Sequence, residues 1–98
     1  MTIFGKRIVE DFVLRHAQSR SPFTKWLSEI EAASPANHNE LKQLFPLADY
    51  VGNKRYVFNV GGNSYRLAAI AEFVEGVLFV RWCGTHAEYS KIKDCSTL

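Results

Sequence analysis

Apolar positions recur along this chain at two different periods, and the change of period divides it. Near the start, Thr2-Ile3-Phe4 predicts a short strand that Gly5 ends. From Lys6, the positions Val9, Phe12, Val13, His16 and Ala17 return every three or four residues, which predicts a helix up to the polar Gln18-Ser19-Arg20. A second helix is expected from Ser21 as cap and Pro22 at the first helical position, with Phe23, Trp26, Leu27 and Ile30 as its apolar stripe. Pro35 disfavours helix at Ser34. A third, shorter helix is predicted around Glu40 to Phe45, capped by Asn37 or Asn39, with Leu41, Leu44 and Phe45 inward and Pro46 as its stop. Beyond Asn53 the period falls to two. Tyr56, Phe58 and Val60 alternate with Arg55, Val57 and Asn59, and Gly61-Gly62-Asn63 carries the signal of a tight hairpin turn. Two further strands follow, Ser64 to Glu72 and Val77 to Cys83, and a helix starts at Thr85.

That order predicts an α+β domain: N-terminal helices packed on one face of an antiparallel sheet, made of a short N-terminal strand and a three-stranded meander, with a short C-terminal helix. No repeat or linker interrupts it, so residues 1–98 are expected to form a single domain. With 98 residues and 47 % hydrophobic side chains, the chain has enough apolar surface for one core and too much for global disorder. Apolar runs stay far below the ~20 residues of a membrane span, and charges fall within Met1 to Glu10 where a signal peptide would be apolar. A cytoplasmic protein with no membrane association is expected. Cys83 and Cys95 have no metal-ligand or disulfide spacing; Cys83 is expected as a small core hydrophobe and Cys95 in a polar tail. Net charge is only +2, so any nucleic-acid contact must come from a local site.

Candidate chemistry gathers near the end of the last predicted strand. In Gly84-Thr85-His86-Ala87-Glu88-Tyr89, Thr85 and Glu88 have capping-box spacing, which places His86 at a helix start and Tyr89 one turn on. A helix start favours an anion. Arg66 and Arg81 lie mid-strand among apolar residues and need either a partner or an open face. Lys54 and Arg55 extend the basic set, and alternation leaves open whether Arg66 and Arg81 face the same way. Each residue also has a plainer reading: solvated strand arginines, a polar first-turn histidine, a core tyrosine, and Asn59 and Asn63 as turn residues. His16 and His38 show no partner in sequence, and Trp26 and Trp82 are expected in the core.

Taken together, Tyr56-Val57-Phe58-Asn59-Val60-Gly61-Gly62-Asn63, Tyr65-Arg66-Leu67 and Gly84-Thr85-His86-Ala87-Glu88-Tyr89 with Lys91 resemble the HigB toxins. These are messenger-RNA interferases of bacterial type II toxin–antitoxin modules, within the RelE-like superfamily. The resemblance covers roughly residues 40 to 93 and is specific as a pair of blocks. It implies a RelE-like fold and an endoribonuclease that cuts mRNA engaged on the ribosome, by 2′-OH attack, without metal or cofactor. It further implies a cognate helix-turn-helix, HigA-like antitoxin, with operator DNA bound mainly through that antitoxin. For this chemistry Arg66, His86 and Tyr89 are the expected catalytic residues: phosphate clamp, general acid or base, and 2′-OH orienting group. Lys54, Arg55, Asn63, Arg81 and Lys91 are expected to bind the substrate. Ser90 stands where the family often has an aspartate. The alternative expectation is therefore a catalytically weak or inactive RelE-like module that binds RNA or protein. A metal-dependent hydrolase is disfavoured because no His, Cys or carboxylate cluster has ligand spacing.

Overall fold

The computed structural model describes all of residues 1–98. One five-stranded sheet organises it, in the order β1-β5-β4-β3-β2. The strands are β1 (Thr2–Phe4), β2 (Asp49–Gly52), β3 (Arg55–Val60), β4 (Tyr65–Glu72) and β5 (Val77–Thr85), and the helices are α1 (Lys6–Arg15), α2 (Arg20–Ala32), α3 (His38–Leu44) and α4 (His86–Tyr89). β1 runs parallel to β5, and every other neighbouring pair is antiparallel. This is an α+β fold, as the change of period implied, and it is consistent with the RelE-like fold that the resemblance implied.

Alternation decides which side of the sheet the helices cover. Tyr56, Phe58 and Val60 of β3, Tyr65, Leu67, Ala69 and Ala71 of β4, and Leu78 and Val80 of β5 all enter one buried cluster. Against them α1 brings Val9, Phe12 and Val13, α2 brings Phe23, Trp26 and Ile30, and α3 brings Leu41. Burying an aromatic or branched aliphatic side chain stabilises by roughly 1.5–3 kcal/mol, so this face holds the fold together. Phe12 anchors its centre, edge-on to Phe23 at 5.6 Å and to Tyr65 at 5.8 Å between ring centroids. Gly5 makes the turn from β1 into α1 with φ of 86°, and a Cβ there would stand 2.7 Å from the Val80 carbonyl oxygen. Only glycine satisfies both demands.

Several sequence expectations need correction. α2 begins at Arg20, with Ser19 at its cap, so Ser21 and Pro22 lie inside the first turn. The 3₁₀ turn Ala17–Ser19 sets that start. Of the two possible caps of α3 it is Asn37, whose side chain accepts from the Glu40 backbone at 3.0 Å. Leu44 points to solvent, leaving Leu41 and the partly buried Phe45 to anchor that helix. β2 was not expected: Asp49 and Tyr50 pair with Val57 and Tyr56, and a turn with positive φ at Gly52, Asn53 and Lys54 joins it to β3. Short, half-polar and irregular in register, β2 has no alternation to reveal it. Finally, β5 reaches Thr85 and carries a bulge, so Val80 opposes Ala69 while Trp82 opposes Ala68. The extra residue is Arg81. Because it breaks the two-residue period, Trp82 joins Ala68 on the face away from the helices, where it is half-buried and outside the core.

Candidate active site

Most of the expected site residues lie on or beside the face opposite the helices. Asn59, Arg66 and Gly84 form one cross-strand row on it, and Asp49, Val57, Ala68 and Trp82 form the next. Arg66 is only 7 % exposed. A guanidinium so buried needs partners, and it has three. It donates to Asn63 Oδ1 at 2.5 Å and to the Tyr65 carbonyl at 3.0 Å, and its centre lies 5.8 Å from the Tyr89 ring centroid. None of them is an anion. The three ion pairs of the protein are Lys6–Glu31, Lys25–Glu29 and Lys54–Glu72, so Arg66, Arg55 and Arg81 all lack a carboxylate side chain. Two of the five guanidinium donors of Arg66 are engaged, and the others remain for an anionic ligand.

The turn Gly61–Ser64 and the end of β5 lock this arrangement. Gly61 and Gly62 adopt φ of 63° and 66°, which brings Asn63 back over Arg66. The His86 backbone donates to the Ser64 carbonyl at 3.0 Å, tying the start of α4 to the same turn. Thr85 and Glu88 form the anticipated capping box: the Glu88 backbone donates to Thr85 Oγ1 at 3.1 Å, and Glu88 Oε1 accepts from the Thr85 backbone at 2.8 Å. That bond holds the Glu88 carboxyl below its ordinary pKa. α4 is a single turn, so few peptide dipoles align and its start offers His86 little electrostatic help. The imidazole of His86 is exposed at the rim.

Tyr89 turns inward instead. Its ring lies 6.3 Å from that of Trp82, and Trp82 itself crosses Gly84, where a Cβ would come within 2.6 Å of the indole. Glycine at 84 is thus what lets an indole, a phenol and a guanidinium share one surface. Burial, a hydrogen bond with Cys95 and the negative charge of Asp49 push the Tyr89 phenol up to about 12, against the opposing pull of Arg66. Tyr89 is therefore a neutral phenol through the physiological range. It can donate or pack, but it cannot serve as a base.

The remaining expected residues separate into two groups. Arg55 and Arg81 meet further along the same face, where both Nε groups donate to the Leu98 main-chain oxygen, at 2.9 and 3.4 Å. Lys91 is exposed beyond α4. Lys54 lies elsewhere, because the β2–β3 turn sits at the far end of the sheet from Asn63; there it pairs with Glu72 at 3.2 Å. It lines a separate cavity of about 550 Å³ with His38, Tyr50, Tyr56 and Phe73. His38 is not a bystander in that cavity, since its Nδ1 lies 2.7 Å from the Tyr56 hydroxyl. His16 stacks on Phe12 at 4.3 Å. No group of three or more His, Cys, Asp or Glu side chains converges anywhere in the chain, and no helix is long and apolar enough to cross a membrane.

Trp82, Asp49 and Cys95 belong to the site and were not anticipated from sequence. The bulge hid Trp82, the unpredicted strand hid Asp49, and the tail placed Cys95 over Tyr89 rather than in solvent. Cys83 behaves as expected, partly buried against the core with its thiol pushed up to about 11 by burial.

Comparison with known proteins agrees with this geometry. The chain is 37 % identical over 68 residues to the mRNA interferase HigB of Escherichia coli O6:H1, covering 67 % of the chain and 63 % of that protein, just under two thirds of its length. It is 29 % identical over 92 residues to the mRNA interferase toxin HigB of Escherichia coli K12, covering 91 % of the chain and 88 % of that protein. The mRNA interferase HigB of Shigella flexneri matches to the same extent. The sequence model of the HigB toxins, described as the RelE-like toxic component of a toxin-antitoxin system, matches residues 19–92, which include the whole Arg66, His86 and Tyr89 constellation. On that match the chain belongs to the HigB toxin family.

Proposed function

We propose that residues 1–98 form a single toxin domain with endoribonuclease activity, cutting mRNA engaged on the ribosome, and that a helix-turn-helix antitoxin neutralises it. Operator DNA would be bound mainly through that antitoxin. One observation carries the catalytic part: a buried guanidinium, Arg66, is fixed by neutral partners with no carboxylate to neutralise it. Such a group is prepared for an oxyanion before the ligand arrives.

In the reaction the ribose 2′-oxygen attacks the adjacent phosphorus and the bond to the 5′-oxygen breaks, leaving a 2′,3′-cyclic phosphate. The 2′-hydroxyl proton must leave and the 5′-oxygen must gain one. Arg66 stabilises the charge that builds on the non-bridging oxygens. His86, the one imidazole at the rim, exchanges a proton with the reacting oxygens, since an imidazole can both give and take one. Tyr89 acts chiefly as a positioning residue, holding the guanidinium against its ring.

The test is cleavage of a ribosome-engaged transcript by the purified chain. Wild type is expected to cut, with Arg66→Ala and His86→Ala each reduced by about 10²–10³-fold while circular dichroism and melting stay close to wild type. Cleavage by His86→Ala at the wild-type rate would remove it from the chemistry. Binding of RNA with no cleavage by the wild type would establish the non-cutting module instead, the reading that Ser90 after Tyr89 favours.

A further inference from the structure

The helix-free face of the sheet is not open along its whole length. Val57 and Ala68 face away from the helices and lie outside the core cluster, yet they are 1 % and 0 % exposed. The C-terminal segment lies along the same side of the sheet. Its 3₁₀ turn Cys95–Thr97 packs against β2. Asn53 Nδ2 donates to the Ser96 carbonyl at 3.2 Å, Gly52 lies against the Ser96 side chain, and Cys95 is close enough to Tyr89 to raise its phenol. At its far end Leu98 presents one main-chain oxygen to the Nε of both Arg55 and Arg81.

Two guanidiniums from different strands converging on one oxygen form an anion-binding fork. Arg55 pairs with Ile70, four residues along β4 from Arg66, so the fork and the clamp are ~13 Å apart on one face. That separation suits phosphates of different nucleotides in a single strand. We propose that the Arg55–Arg81 fork is a second phosphate-binding subsite for the RNA backbone, which the segment Ser96–Leu98 occupies until RNA displaces it. This rests on the RNA-cleaving function proposed above and adds where the strand continues and what it must move. RNA can compete for the fork because a phosphate offers two charge-bearing oxygens and can engage both guanidiniums at once, whereas Leu98 shares one oxygen between them. Only a few hydrogen bonds retain the segment, so its release is within reach of binding.

The experiment compares the full chain with a variant lacking residues 96–98, which keeps Cys95 beside Tyr89. The probe is a single-stranded RNA methylated on its 2′-oxygens, so that it binds without being cut. The shortened chain is expected to bind about five- to tenfold tighter, the value of two or three released hydrogen bonds. Arg55→Gln with Arg81→Gln in the shortened chain should abolish that gain and lower the slope of log affinity against log salt by ~0.7, the value for one phosphate. Asn53→Gly, which tolerates the positive φ at that position and removes the hold on Ser96, should shift affinity in the same direction in the full chain should the shortened one fold poorly. Unchanged affinity in both release variants, or a gain that survives the two glutamines, overturns the subsite. If the unmodified transcript is still cut in an Arg66-dependent way, that failure leaves the catalytic reading intact. Absence of RNA binding by every form overturns the subsite, and the catalytic reading falls as well only where the ribosome-engaged transcript also stays uncut.

Discussion

The two faces of this sheet are built from the same strands and use them for opposite ends. On the helix side, every second residue of β4 is apolar, and Phe12, Phe23 and Tyr65 interlock there. On the other side a buried arginine, a phenol and an indole meet. One face is stable because its buried side chains are almost wholly apolar. The other keeps a cation with unused donors, which costs stability unless an anion arrives. The difference teaches that Arg66 and Leu67, neighbours in sequence, meet opposite surroundings: the first keeps unused donors without an anion, and the second is packed in the core.

Substitutions at those two positions break the comparison most directly. Arg66→Ala should lower RNA cleavage by about 10³-fold, and Arg66→Lys should restore little because an ammonium cannot reproduce the planar fork; both are read in a cleavage assay with melting as control. Leu67→Ala should cost about 3 kcal/mol of stability through the cavity it opens. Denaturant titration measures that loss, and activity per folded molecule should be retained. A smaller effect is expected where the faces meet: Thr85→Ala removes the cap of α4 and should cost about 1 kcal/mol. Because the Glu88 carboxyl of the same box is held below its ordinary pKa, its contribution is complete above the unfolded value near 4.5. It is lost as pH falls through the lower folded one. Smallest at neutral pH is Tyr89→Phe as a probe of ionisation. The folded phenol lies at about 12 against 10.0 unfolded, so its contribution is complete below 10 and is lost as pH rises toward 12. The variant should flatten that part of the alkaline limb of a stability-against-pH curve. A curve of unaltered shape would show that the phenol ionises freely.

How legible was this from residues alone? Local rules were reliable where one short segment decides its own structure. The Thr85–Glu88 box, the Gly61-Gly62-Asn63 turn and the stripes of α1 and α2 are of that kind, and each formed where the pattern placed it or within two residues. What failed depended on partners distant in sequence. β2 exists because β3 offers it an edge, not because Asp49 to Gly52 alternates. The residues alone leave Arg81 without a face and predict Trp82 in the core, since a bulge is one extra residue whose position is set by the opposing strand. The hold of Leu98 on Arg55 joins residues 43 positions apart, and no pattern within the tail announces it. Lys54 was placed near the site by composition alone, and the geometry of the β2–β3 turn removed it.

The bulge also divides the two tryptophans between the two faces. Trp26 is 4 % exposed within the core and edge-on to Phe58, with its indole N–H unpartnered. Trp82 is half-buried beside Tyr89 on the helix-free face. Their fluorescence therefore offers two built-in reporters, one in a dry environment and one sensitive to whatever covers the helix-free face. With Trp82→Phe to assign the spectra, a change at Trp82 that precedes the change at Trp26 during denaturation would identify local opening of the catalytic face, ahead of global unfolding.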